Sequence, residues 1–206
     1  MIGIEVAGVG AVRRGARSVA VPDLAIDGPG LVRVLGANGS GKSTLVELLA
    51  GGIAPERGSV RVCGAPAAGA GARRLRRVCR TEIALLGHVT LRRHAALFAR
   101  AAGLPLRAAT DALGDEALAD RLDDAVDELS TGEARRAWVR LTTLGDAPVL
   151  LLDEPLLGVD ARAADALRAR ILAWATTRLV LVVDHDEHRW TGAVRALSLE
   201  PGRVAP

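Results

Sequence analysis

Apolar residues along this chain fall into two kinds of pattern. At Leu31-Val-Arg-Val-Leu-Gly36 a β-branched run ends at a glycine, which predicts a strand. Val149 to Leu152 is apolar at every position, as is Leu179 to Val183; strands without alternation belong to a parallel sheet covered by helices on both faces. Elsewhere the period is helical. Ser43 to Ala50, with Leu45, Val46, Leu48 and Leu49, predicts a helix closed by Gly51-Gly52, and residues 133–144 and 161–175 predict two more. Residues 91–130 carry Ala, Leu, Arg and Asp at helical spacing, with breaks at Gly103-Leu-Pro105 and Gly114, and read as a small helical subdomain. Gly58 to Gly64 reads as a short β segment, followed by a flexible Ala/Gly/Pro linker to about Gly71. Strands alternating with helices give an expected α/β class.

Composition narrows this reading. With 206 residues, 50% of them hydrophobic, the chain can bury a real core, which excludes a disordered or disulfide-stapled chain. No run of eighteen uncharged apolar residues occurs, and the N-terminus lacks a basic segment followed by an apolar one. Neither a spanning helix nor a secretory signal is therefore expected. Cys63 and Cys79 lack metal-ligand spacing and read as free thiols in a reducing compartment. The formal charge of +3 is mild, but the positive side chains are almost all arginine. The sole lysine, Lys42, and the sole asparagine, Asn38, fall in one short stretch.

That stretch is Gly36-Ala-Asn-Gly-Ser-Gly-Lys42-Ser43, the eight-residue phosphate-loop pattern, set between a predicted strand and a predicted helix. Its glycines allow a tight turn in which backbone N–H groups converge on a phosphate at a helix N-terminus. Lys42 would neutralise the β/γ oxygens, and Ser43 would offer its hydroxyl to Mg²⁺. The nucleotide-binding candidates are thus Gly36, Asn38, Gly39, Ser40, Gly41, Lys42, Ser43 and Thr44. A second site follows the strand at 149–152: Asp153-Glu154-Pro155 places two carboxylates where α/β sheets hold ligands. Asp153 is the expected Mg²⁺ ligand, with Ser43. Glu154 is the expected catalytic group, activating a water in line with the γ-phosphate. Capping of the next helix is the competing structural reading of this pair.

Together these features resemble an ATP-binding-cassette nucleotide-binding protein over nearly the full chain. Leu129-Ser130-Thr131-Gly132-Glu133, about twenty residues before the Asp-Glu strand, resembles the family's signature, usually Leu-Ser-Gly-Gly-Gln. Leu156-Leu-Gly-Val-Asp160 resembles the D-loop, His185 the switch histidine, and Leu48 to Gly58 the stretch after the phosphate loop. Ser130-x-x-Glu133 is also a capping box, but a capping box does not explain Gly132 in the first turn. The resemblance implies one cassette over residues 1–206: a P-loop NTPase core with a mostly parallel sheet, an N-terminal antiparallel β portion, and the helical subdomain at about 91–130 inserted. It implies ATP and Mg²⁺, with Lys42, Glu154 and His185 in catalysis and Ser130, Gly132 and Asp160 joining the nucleotide site. Ser130 and Gly132 would serve a nucleotide held by the opposite subunit. It also implies a second copy or a related ATP-binding subunit, transmembrane permease subunits as partners, and a cytoplasmic place on the inner face of the membrane.

The sequence departs from the family pattern in two places. It has no glutamine, so the family's glutamine loop has no match; the corresponding stretch, Ile83 to Leu91, is short, with His88 its nearest polar candidate. Slower hydrolysis or altered coupling to a partner is the expectation. No aromatic precedes Phe98, so adenine would stack on Arg13, Arg14 or Arg17 or go without stacking, and weak discrimination between ATP and GTP is expected. The cluster Arg73, Arg74, Arg76, Arg77 and Arg80 lacks interleaved aromatics and reads as a solvated basic face rather than a nucleic-acid site, and Arg135 and Arg136 read as solvated too. The alternatives to a transport ATPase are a soluble cassette acting on ribosomes or nucleic acid, and a weakly hydrolysing regulatory module.

Overall fold

A computed structural model describes residues 1–14, 17–184, 190 and 194–199. In chain order the elements are β1 (Gly3–Ala7), β2 (Gly10–Arg14), β3 (Arg17–Val21), β4 (Leu24–Asp27), β5 (Gly30–Leu35), α1 (Lys42–Leu49), β6 (Ser59–Val62), β7 (Ala65–Pro66), α2 (Ala70–Arg73) and β8 (Arg76–Cys79). There follow α3 (Leu91–Ala102), α4 (Leu106–Gly114), two short 3-10 turns, α5 (Thr131–Thr142), β9 (Val149–Asp153), α6 (Ala161–Trp174), β10 (Leu179–Val183) and β11 (Val194–Ser198). The chain forms two compact units: Met1–Arg77, Ala147–Asp153 and Leu172–Pro206 in the first, Val78–Asp146 and Glu154–Ile171 in the second.

The first unit is built on sheets. β5, β10 and β9 run parallel in a five-stranded sheet ordered β11-β5-β10-β9-β8, with β11 also parallel to β5. Every residue of β9 and β10 is buried, as their unbroken apolar runs predict. Each such Leu or Val contributes about 1.5–3 kcal/mol through burial. On α1, Leu45, Leu48 and Leu49 are fully buried, and the helix packs against β9 and β6. The N-terminal β portion is antiparallel: β1 pairs with β4 and β6, and β2 pairs with β3.

Two expectations are corrected here. The stretch after Gly64 is not a flexible linker, because β7 pairs with β6 and α2 follows at 70–73 with Ala67 and Ala72 buried. Nor is the arginine cluster one solvated face. Arg76 is buried on β8 and donates to the Ala50 carbonyl, supplying a charged donor to a backbone oxygen near the end of α1. Arg73, Arg74 and Arg80 are exposed.

The second unit is mainly helical, with α3, α4 and α5 packed on one another. Thr90 caps α3 and Gly103 ends it in the left-handed conformation, the break read from sequence. Phe98 of α3 meets Trp138 of α5 edge to face, centroids 5.9 Å apart. Arg135 is buried rather than solvated: its guanidinium donates to the carbonyls of Arg80 (3.4 Å) and Thr81 (2.6 Å), while Trp138 Nε1 also donates to the Arg80 carbonyl. Arg136 donates to the Glu116 carbonyl. These arginines work as cross-braces whose partners lie far away in sequence, beyond the reach of periodicity.

Candidate functional site

The phosphate-loop pattern occupies the turn from β5 into α1, at the carboxyl end of the parallel sheet. Gly36, Gly39 and Gly41 have φ of 148°, 83° and 104°, conformations that residues with a Cβ adopt at a cost. Gly41 is also crowded, since a Cβ there would lie 2.5 Å from Val19 Cγ1 of β3. Asn38 is exposed, Ser40 and Thr44 are buried, and Ser43 in the first turn of α1 is exposed. Lys42 is 8% exposed, and its Nζ donates to the carbonyls of Gly36 (2.7 Å) and Ala37 (3.1 Å), so the ammonium is held inside the loop. The Ser40 Oγ is buried and, among the described residues, has no hydrogen-bond partner. A buried hydroxyl of this kind beside a buried ammonium, at a helix N-terminus, fits an oxyanion ligand.

Asp153 closes β9 at the same level. Val183 of β10 is in register with both Asp153 and Val34 of β5, so the carboxylate stands two strands from the start of the loop, about 10 Å away by strand spacing. Asp153 is buried. A serine hydroxyl at α1 and a carboxylate at β9 are hard oxygen donors, the kind Mg²⁺ takes when it shares its shell with phosphate. Asp184, just past β10, is buried and accepts from Trp190 Nε1 at 3.0 Å. His185, together with Asp186 and His188, lies outside the described residues, as do the side chains of Arg13, Arg14 and Arg17.

In the second unit, Glu154 has φ of 52°, in the left-handed region, and is buried. A residue with a Cβ held there stores strain of about 1–3 kcal/mol, and such outliers concentrate at working sites. This left-handed residue comes directly after Asp153, where β9 ends. Ser130 is exposed at the start of α5. It completes the expected capping box: Ser130 N–H donates to Glu133 Oε2 (2.8 Å), its hydroxyl donates to the same oxygen (2.8 Å), and Glu133 N–H donates to Ser130 Oγ (3.3 Å). The amide bond, then the hydroxyl bond, and more weakly Arg121 and Arg136, hold the Glu133 carboxyl below its ordinary value.

Gly132 has backbone in place of open space on its Cβ side: Gly158 O at 3.2 Å and Val159 Cα at 3.6 Å. The space beside this glycine is thus filled by the 156–160 segment of the same chain. Asp160 is exposed and caps α6 through its carboxylate, accepting from Ala163 N–H at 3.0 Å. His88 is exposed. His94 is buried: Nδ1–H donates to the Thr90 carbonyl (3.1 Å) and Nε2 accepts from Leu86 N–H (3.0 Å). It pins the short stretch standing where the family has its glutamine loop. Nothing in the sequence pattern marks this histidine, because both of its partners are backbone atoms.

Parallel sheet, glycine loop and strand-end carboxylate together define a P-loop NTPase core. A family profile described as ABC transporter matches residues 23–157. The phosphonates import ATP-binding protein PhnC of Anaeromyxobacter dehalogenans is 35% identical over 197 residues, covering 84% of this chain and 39% of that protein. The taurine import ATP-binding protein TauB of Burkholderia pseudomallei is 33% identical over 210 residues, covering 97% of this chain and 80% of that protein. A solved structure described as the ATP binding subunit of an ABC transporter superposes with a TM-score of 0.79 at 26% identity, over 90% of this chain and 80% of that one. The chain belongs to the ABC transporter family, as one of its ATP-binding proteins.

Proposed function

We propose that this chain binds Mg-ATP in the 36–44 loop and hydrolyses it, powering movement of a substrate through separate membrane-spanning subunits. The loop carries the proposal: left-handed glycines, a buried Lys42 and a Ser40 hydroxyl with no partner among the described residues converge at the start of α1. Gly36, Asn38, Gly39, Gly41 and Thr44 shape the turn, Lys42 takes charge from the β/γ oxygens, and Ser40 adds a polar contact. Ser43 and Asp153 would hold Mg²⁺, which when bound neutralises phosphate charge. Glu154 orients and deprotonates the attacking water, and His185 contacts the γ-phosphate. Ser130 and Gly132, at an exposed helix start, and Asp160 beside them serve a nucleotide held by a second copy or a related subunit.

The whole chain acts as one cassette, with the helical portion at about 91–130 inserted in it. No described helix is long and apolar enough to cross a membrane. Permease partners would hold the chain at the cytoplasmic face, a reading supported by the import ATP-binding proteins it resembles. Import is the direction named for both relatives described above and is the working assumption for this chain.

Phosphate release from purified protein with Mg-ATP tests the proposal. Lys42→Ala is expected to lower turnover by about a hundredfold or more, the scale for losing a charge-stabilising donor. Glu154→Gln is expected to abolish turnover while leaving ATP binding intact. Wild-type protein that neither binds nor turns over ATP would overturn the proposal.

A further inference from the structure

The end of α4 gathers an ionic cluster that the nucleotide chemistry does not use. Asp115 and Glu116 follow α4, and Glu116 is buried, its side chain 3% exposed. From α5, Arg140 donates through Nη2 to Asp115 Oδ2 (3.1 Å) and through Nε to the Ala112 carbonyl (3.1 Å), with Glu116 Oε1 at 3.6 Å. From α6, Arg170 donates through Nη1 to the same Asp115 oxygen (3.1 Å) and through Nη2 to the Asp115 carbonyl (3.3 Å), and its Nε lies 2.9 Å from Glu116 Oε1. Arg136 adds its bond to the Glu116 carbonyl. Three guanidinium groups from two helices thus meet two carboxylates and the carbonyls at a helix C-terminus, where the dipole favours cations. Burial pushes the Glu116 carboxyl up against the pull of Arg170, Arg140 and Arg136, so the cluster carries a desolvation cost that plain apolar packing would avoid.

Its position along the helices gives that cost a use. Arg140 lies about ten residues beyond Ser130 on α5, and Arg170 about ten beyond Asp160 on α6, each about 15 Å down its helix. At the other ends the two helices touch again: Gly132 abuts Gly158 and Asp160, while a Cβ on Gly158, whose φ is 76°, would meet Thr131 Cγ2 at 3.1 Å. Two helices joined at both ends cannot slide or splay independently.

We propose that Asp115 and Glu116 form a clip that, through Arg140 and Arg170, fixes the signature end of α5 and the D-loop end of α6 as one body presented to the opposite subunit's nucleotide. Arg140 and Arg170 are positioning residues, acting through Ser130, Gly132 and Asp160. This inference rests on the composite-site reading given under the proposed function, and it adds that the D-loop moves with the signature.

A mixed-subunit ATPase assay tests it. One subunit carries Lys42→Ala, which removes its own phosphate grip and leaves its signature end intact. The other carries Ser130→Asp, which still caps α5 but sets a carboxylate against phosphate, and keeps its loop intact. Only the site pairing the second subunit's loop with the first subunit's signature can then turn over. Arg170→Met in the Lys42→Ala subunit is expected to cut this activity by about tenfold or more, as for misplaced catalytic groups, while the same change in the Ser130→Asp subunit leaves it within about twofold. Arg170→Lys in the first subunit, which keeps the charge without the fork, is expected to restore part of the loss. Equal losses in both subunits would mean ordinary destabilisation and would overturn the clip, as would no loss in either. If the parent mixture is inactive although wild type hydrolyses ATP, the composite-site reading fails and takes the clip with it.

Discussion

A buried imidazole with a donor bond on one nitrogen and an acceptor bond on the other can hold only its neutral form without breaking a contact. His94 is in that position between Leu86 and Thr90. Burial pushes it below its ordinary value of 6.5, with the Thr90 carbonyl opposing more weakly. The unfolded chain therefore takes up a proton near pH 6.5 and the folded chain only at lower pH. Stability from this residue is complete above that value and drains away as pH falls through the folded value. Thermal melts from about pH 7 to about pH 5 are expected to fall more steeply for wild type than for His94→Gln. Parallel curves would show that the ring carries no such linkage. Little of this was legible in the sequence, because both partners are backbone atoms and any residue type supplies those. Lys42 and Asn38 stood out for the opposite reason, as single instances of their kind.

Elements were readable where the cause was local. The strand-loop-helix around the phosphate loop, the unbroken apolar strands β9 and β10, and the Ser130 capping box each announce themselves within about ten residues. Other elements did not: β7, paired with its neighbour β6, and α2 hid inside an Ala/Gly/Pro stretch whose composition reads as a linker, and β8, which pairs with the distant β9, hid inside an arginine cluster. The helix cap gives a prediction at this scale. Ser130→Ala removes the oxygen that accepts from Glu133 N–H and the hydroxyl that donates to its carboxylate. The expected cost is about 1 kcal/mol, read as a lower denaturant midpoint at unchanged slope. An unchanged midpoint would mean that packing alone fixes the start of α5. Ser130→Asp, which still accepts from Glu133 N–H but cannot donate to its carboxylate, is expected to keep part of the cap and to lose ATP turnover far beyond Ser130→Ala, which separates the serine's structural task from its proposed phosphate contact.

For the whole molecule, ligand linkage offers a test that does not depend on turnover. A nucleotide that binds only the folded chain stabilises it by about 2.7 kcal/mol at a hundred times its dissociation constant. Mg-ATP is therefore expected to raise the melting temperature of wild type and of Glu154→Gln, and to leave Lys42→Ala nearly unmoved. Adding a chelator is expected to shrink the wild-type shift, because the roles proposed for Ser43 and Asp153 run through the metal. A full shift in Lys42→Ala would place the nucleotide elsewhere. The α/β class and the family were legible at this scale, since many weak signals agreed along the whole chain. The pairing of α5 with α6 through Asp115 and Glu116 was not, because four residues scattered between 115 and 170 meet only after three helices have packed.

The burial of Lys42 has a practical corollary. Its Nζ, clasped by two carbonyls, is the only side-chain primary amine in the protein. An amine-acylating reagent therefore has one internal target, and mass spectrometry of a single peptide reads it without interference from other lysines. Protection of that peptide by added nucleotide would titrate the loop directly, with the α-amino group of Met1 as an internal standard for reagent strength.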